Sequence, residues 1–201
     1  GRVVVVWSTH GGAPELEIID SGVAQIDAFE VRSLGIGSPG QDLLVSGVSA
    51  DQILLNVARY EDAANGQWLA RPFVAGSVGL AVRDFDGDGS IDVATASSTE
   101  PAARLYRGYG NGTFVEPKFV DLPAPAAALA GGRFTPELDG VLVVVDGTPM
   151  LVDFADGLAT PLSGPRIRAP LVVADFDGDA ISDIVAPTLD GNGVAMYWSQ
   201  E

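Results

Sequence analysis

Short apolar runs alternate with tight polar breaks along the whole chain. VVVVWST around Trp7, LEIIDS before Gly22, DLLVSG from Asp42, DVATAS from Asp92, DIVAPT from Asp183 and VAMYW before Ser199 are rich in β-branched residues. Runs of this length, bounded by Gly, Pro, Asn and Asp, predict strands. Twenty-five Gly and thirteen Pro in 201 residues suit short strands joined by tight turns and argue against a helical protein. There is no linker, no low-complexity segment and no long amphipathic helix.

The pattern repeats. Asp42, Asp92, Asp139 and Asp183 each open an apolar run, at spacings of 50, 47 and 44 residues. A second marker runs in parallel: Leu54-Leu55-Asn56, Arg104-Leu105-Tyr106, Met150-Leu151-Val152 and Met196-Tyr197-Trp198. A third is a turn such as Asn65-Gly66, Asn111-Gly112 or Asp156-Gly157. Each unit therefore reads strand, loop, strand, turn, strand, turn, strand. Four strands per unit at this period predict the blades of a β-propeller, with a stacked β-solenoid as the weaker competitor. The fold expected is all-β: about four blades' worth of four-stranded antiparallel sheets in one region, 1–201. Residues 1–30 end one blade, 31–79, 80–127 and 128–170 form three more, and 171–201 start the last. VVVVWST and VAMYWSQ occupy the same place in the repeat, so the chain begins and ends at one point of it. An arc of a larger propeller is expected, closed by further chain or by neighbouring subunits.

Two units carry a nine-residue acidic loop, DFDGDGSID at 84–92 and DFDGDAISD at 175–183. Asp84, Asp86, Asp88 and Asp92 take places one, three, five and nine; Asp175, Asp177, Asp179 and Asp183 repeat them. Carboxylates at alternate places of a turning backbone converge, and repel one another unless protons or a cation intervene. A hard divalent ion resolves the conflict, and calcium accepts six to eight oxygens. By analogy with known calcium loops, Ser90 at place seven gives its carbonyl. An EF-hand is excluded, because place twelve is Thr95 or Ala186 rather than Glu and strands follow both loops. Ala180 stands where the first loop has Gly89, which predicts a strained and weaker second loop if that place needs a positive φ. Phe85 and Phe176 are expected in the seams between blades. The other two units, LGIGSPGQD and GGRFTPELD, have lost the acids except Asp42 and Asp139 and are not expected to bind calcium. There the retained Asp is expected to fix a turn.

Composition narrows the function. Net charge is −16, which disfavours nucleic acid as a partner. No apolar run approaches a membrane span and no secretory signal is visible; the start at Gly1 suggests a processed or excerpted product. Ten Arg stand against one Lys, Lys118, and cysteine is absent. Calcium stabilises in place of disulfides where it is plentiful, so an extracellular or periplasmic, secreted setting is expected.

DxDGDGxxD followed by a β run, with GNGTF at Gly110 to Phe114, resembles the FG-GAP or VCBS repeat of integrin α subunits and many secreted bacterial proteins. The resemblance spans nearly the whole chain, strongly in the units from Leu80 and Leu171. It implies calcium at two sites: Asp84, Asp86, Asp88, Ser90 and Asp92, then Asp175, Asp177, Asp179, Ile181 through its carbonyl, and Asp183. It implies a structural ion and no particular ligand.

The function expected is a non-catalytic, calcium-binding module for protein interaction, adhesion or scaffolding, its partner a protein or a neighbouring subunit. A lectin-like glycan binder is the alternative, with Trp7, Trp68, Tyr106, Tyr109, Tyr197 and Trp198 as stacking faces, although aromatics at repeated strand positions are more often core. A second alternative is an accessory domain of a larger secreted enzyme. Catalysis within the chain lacks material: His10 is the only histidine, and the clustered acids have a better use on calcium.

Overall fold

The computed structural model describes residues 1–7, 15–21, 23–32, 42–49, 52–59, 67, 69–74, 76–136 and 139–198. His10, Asn65-Gly66, Trp68 and most of the loop LGIGSPGQD lie outside them. Seventeen strands are described, in five antiparallel sheets. The first sheet has two strands, β1 (Arg2–Trp7) and β2 (Glu15–Asp20). The second has four, β3 (Gln25–Arg32), β4 (Asp42–Ser49), β5 (Gln52–Arg59) and β6 (Leu69–Pro72). In the third, β7 (Ser77–Arg83), β8 (Asp92–Ser97), β9 (Ala102–Tyr106) and β10 (Lys118–Asp121) follow the same meander. The fourth repeats it with β11 (Ala126–Gly132), β12 (Gly140–Val145), β13 (Thr148–Asp153) and β14 (Leu158–Pro161). The fifth stops at three, β15 (Val172–Ala174), β16 (Asp183–Pro187) and β17 (Val194–Tyr197).

The third and fourth sheets bury both faces against their neighbours, which is why their strands read as continuous apolar runs. All six residues of β8 are buried, and five of the six in β12. A valine so buried contributes about 1.5 kcal/mol or more relative to an exposed one. Leu44, Leu55 and Val57 of the second sheet pack on Leu80, Val82, Val93 and Tyr106 of the third. The other face of the third, Ala81, Ala94, Ala103 and Leu105, packs on Leu129, Val141, Val143 and Met150 of the fourth. Ala128, Leu142 and Val144 then meet Ile184, Ala186 and Ala195 of the fifth. At the other end Val3 of β1 packs with Val23 and Val45.

The repeat extends to an irregularity. The first strand of each complete sheet has one register shift near its start, at Ile26/Ala28, Ser77/Leu80 and Ala126/Ala128. Such bulges bend a strand and raise its twist. The short turn between β12 and β13 takes Asp146 and Gly147 through φ 47° and 79°, the left-handed pair that a two-residue hairpin needs.

The row is an open arc of propeller-like blades. Trp7 of β1 pairs with Glu15 of β2, and β17 pairs with β16, so the strand at Trp7 does not complete the fifth sheet. Phe85 fills a seam as expected, 8% exposed and packed into the third–fourth core. Phe176 does not. It is 47% exposed, because among the described residues no further sheet packs over that face of the fifth.

Candidate metal centres

Both acidic loops run from a first strand to a second, β7 to β8 and β15 to β16. Their shape follows from a ladder of carboxylates accepting backbone N–H groups. Asp84 Oδ1 accepts from Gly87 and Asp88 at 2.8 and 3.1 Å, and its Oδ2 from Gly89 at 2.9 Å. Asp86 accepts from Asp88 at 3.2 Å, and Asp88 from Ser90 at 2.7 Å. The second loop copies this: Asp175 accepts from Gly178 and Ala180 at 2.6 and 3.0 Å, Asp177 from Asp179 at 3.2 Å, and Asp179 from Ile181 at 2.7 Å.

The place-nine carboxylate has a distinct task. Asp92 is fully buried, its Oδ2 accepting from the Phe85 N–H and its Oδ1 from the Gly108 N–H, both at 2.9 Å. It ties the loop to the chain beyond β9. Asp183, equally buried, accepts from the Phe176 N–H at 2.9 Å. Burial pushes the Asp92 carboxyl above its ordinary value, opposed by the two N–H bonds and assisted by the charges of Asp86 and Asp88. The exposed Asp177 is also pushed up, by the partial desolvation of its loop and then by the charges of Asp179, Asp183 and Asp175.

Carboxylate oxygens of Asp84, Asp86 and Asp88 lie within 4.8 Å of one another, and so do those of Asp175, Asp177 and Asp183. Two oxygens on opposite sides of a calcium ion stand about 4.6–5.2 Å apart, so the spacing and the all-oxygen donor set both fit a hard divalent cation. The two groups differ in membership: place five completes the first and place nine the second. Gly89 and Ala180, at place six of their loops, have φ 86° and 68°. That place does need a positive φ, and Ala180 adopts it at a cost of about 1 kcal/mol.

Some contacts carried no sequence signal. Arg107 Nε sits 3.2 Å from Asp86 Oδ2, at the rim of the first loop. Arg83 reaches from β7 to Asp139 of the next sheet at 3.2 Å, so this retained acid of a degenerate loop is held by a guanidinium across a seam. Both pairs join residues distant in the chain, and only the register of folded sheets brings them together. Beside the first loop a cleft of about 390 Å³ opens between Phe85, Phe134, Val152 and Phe154. Its ionisable walls are Asp139, already paired with Arg83, and Asp153, which caps the turn at Ala155 and Asp156. The chemistry on offer at these sites is coordination and bracing rather than turnover.

The aromatics divide. Tyr106 is core, its ring 5.0 Å from that of Phe73, while Tyr109 and Trp198 are exposed and Tyr197 is half-buried. Among the described residues no helix is long and apolar enough to cross a membrane.

Fold and loops together define an open arc of propeller-type blades with two acidic, cation-compatible loops. Among solved structures, 17 chains match. One is BBS1N, solved in complex with ARL6DN: TM-score 0.67, 18% identity, covering all of this chain and 59% of that one. The chain thus spans somewhat under two thirds of that neighbour's length. At this identity the likeness shows the fold. No protein-family model matches the chain, and no curated protein matches it.

These findings correct the family expectation. The structural neighbour is not an integrin-type FG-GAP or VCBS propeller, and no family match supports that descent. The physical reason is that the resemblance rested on a motif whose shape is set locally, by carboxylates accepting N–H groups two to seven residues away. The expectations of a secreted, extracellular or periplasmic setting and of cell adhesion fall with it, since they came with that family and the neighbour found in its place is BBS1N in complex with ARL6DN. They had rested on where calcium is plentiful, which says nothing of where this fold is used.

Proposed function

We propose that this chain is a non-catalytic protein-interaction module, a rigid propeller arc whose loops at one end of the strands are stiffened by two calcium ions. The first ion is held by Asp84, Asp86 and Asp88 with the Ser90 carbonyl, and the second by Asp175, Asp177, Asp179 and Asp183 with the Ile181 carbonyl. Asp92 belongs to the first site chiefly as its brace. The observation that carries the reading is the twofold convergence of carboxylate oxygens within 4.8 Å on loops of matching geometry. Calcium supplies charge neutralisation there, and these residues orient around it. The interaction role draws support from the neighbour, BBS1N, which was solved bound to a protein, ARL6DN. Broad, rigid scaffolds that display loops are suited to recognition.

Calorimetric titration with calcium tests the cation assignment. Two ions per chain are expected, one in Asp88→Ala and one in Asp179→Ala, with the site left in Asp179→Ala the tighter because Gly89 carries no strain. Absence of saturable binding, or two ions in either variant, overturns it.

A further inference from the structure

The cleft of about 390 Å³ beside the first loop stands where the fourth sheet departs from the third. Val93 and Tyr106 are ladder partners facing the second sheet, and Val141 and Val152 are ladder partners facing the third. That match of pairing and facing aligns β8 with β12 and β9 with β13. Asp92 then corresponds to Gly140, Gly108 to Phe154 and Arg107 to Asp153. In the third sheet the Asp92 carboxylate accepts the Gly108 N–H at 2.9 Å, so loop and chain close on each other. In the fourth, Gly140 brings no carboxylate, and Asp139, one residue earlier, turns to Arg83 of the third sheet. Phe154 stands at the place where Gly108 leaves no room for a side chain. Phe134 of the degenerate loop lies over two glycines: a Cβ on Gly132 or Gly140 would stand 2.9 or 3.2 Å from its ring. With the brace gone, Phe85, Phe134, Gly140 and Phe154 line open space.

Charge changes sign at the rim. Arg107 meets the loop acid Asp86 at 3.2 Å, whereas Asp153, in its place, has no ion-pair partner among the described residues. Its Oδ1 accepts from the Ala155 and Asp156 N–H groups at 2.7 and 3.0 Å. Lys118 reaches the same turn, but its ammonium bonds to the Ala155 carbonyl at 3.0 Å. The described lining thus holds two carboxylates, one of them shared with Arg83, and no cationic group. Apolar pockets use a few polar groups of this kind to choose and orient a ligand. A carboxylate ligand would meet like charge here, and an ammonium would meet an unmatched negative one.

We propose that the cleft is a binding site for a small organic cation, an aryl or alkyl body carrying one primary ammonium. The body lies against Phe85, Phe134 and Phe154, and the ammonium donates to Asp153 at the rim. Apolar burial supplies most of the affinity, and the charge-assisted hydrogen bond supplies the selection. The site binds its ligand without turning it over. It lies between two complete sheets and is independent of the calcium reading, since Asp153 belongs to neither acidic loop.

The test is an NMR titration of the isotope-labelled chain, with calcium present, by three probes that share one body: 4-phenylbutylamine, 4-phenylbutan-1-ol and 4-phenylbutyrate. The amine is expected to saturate with a Kd at or below about 1 mM, ordinary for a ligand of this size. Its shifts should centre on the amides of Gly140, Val141, Phe154 and Ala155. The alcohol is expected to bind about tenfold more weakly, the share of one charge-assisted hydrogen bond, and the butyrate not to bind. Asp153→Asn keeps an oxygen to cap the turn and removes the charge, so it is expected to hold the amine no better than the alcohol. The proposal is overturned by an amine that does not saturate at about 10 mM, or by equal affinity for the amine and either other probe. Full affinity in Asp153→Asn, or shifts confined to the loops at 84–92 and 175–183, overturns it as well. N-acetyl-lysine methylamide carries the same ammonium on a protein side chain. Binding as tight as that of the amine would assign the cleft to a lysine of a protein partner and also overturn it.

Discussion

Ala180 shows how far one residue can set two matched sites apart. It holds φ 68° where Gly89 holds 86°, and both places feed an N–H to the first carboxylate of their loop. Replacing it by glycine removes about 1 kcal/mol of left-handed strain, offset in part by the greater freedom of glycine in the unfolded chain. Ala180→Gly is therefore expected to raise the urea midpoint and to tighten calcium at the second loop; a lower midpoint with unchanged affinity contradicts the strain. Asp177 gives a pH test. Its carboxyl is raised above the ordinary 3.8, so without metal the fold holds this proton more tightly than the unfolded chain does. Its contribution is full below 3.8 and is lost as pH rises through the folded value. In chelator, Asp177→Asn is expected to gain stability relative to the wild type between about pH 4 and 7, and with calcium to lose it. Parallel pH profiles in chelator would contradict this.

At the scale of elements, much was legible and some was not. The acidic loops, the β runs after Asp92 and Asp183, and the four-strand unit could be read directly, because strands buried on both faces leave uninterrupted apolar runs. The brace from Asp92 to Gly108 could not, since its partners are 16 residues apart and meet only through strand register. Nor was Arg83 to Asp139 visible, as it crosses between sheets. Phe176 was misread as seam residue because its motif matches that of Phe85, while its surroundings depend on a neighbour the motif does not encode. Gly108 is where the brace can be tested. A Cβ there would stand 2.0 Å from the Ile91 carbonyl oxygen, a backbone atom that cannot swing aside. Gly108→Ala is expected to destabilise by about 1–3 kcal/mol and to weaken the first calcium site more than the second. An unchanged urea midpoint would show that β9 and the loop are not closely coupled.

The whole molecule is a row of sheets held by apolar seams, with acidic loops repeated at a 91-residue offset on two of them. Spacing and strand count made the open arc legible; ancestry was not, because the loop motif carries its geometry locally. The central claim is that both loops are cation sites that stabilise the fold, and the thermal midpoint at neutral pH tests it most directly. Calcium at a hundred times its dissociation constant supplies about 2.7 kcal/mol per site. For a chain of this size, two sites raise the midpoint by roughly 10–20 °C. The account predicts that rise on adding calcium to chelator-stripped protein, about half of it in Asp84→Asn or Asp175→Asn, and none in the double variant. A midpoint indifferent to both chelator and calcium, or a full rise in the double variant, would contradict it.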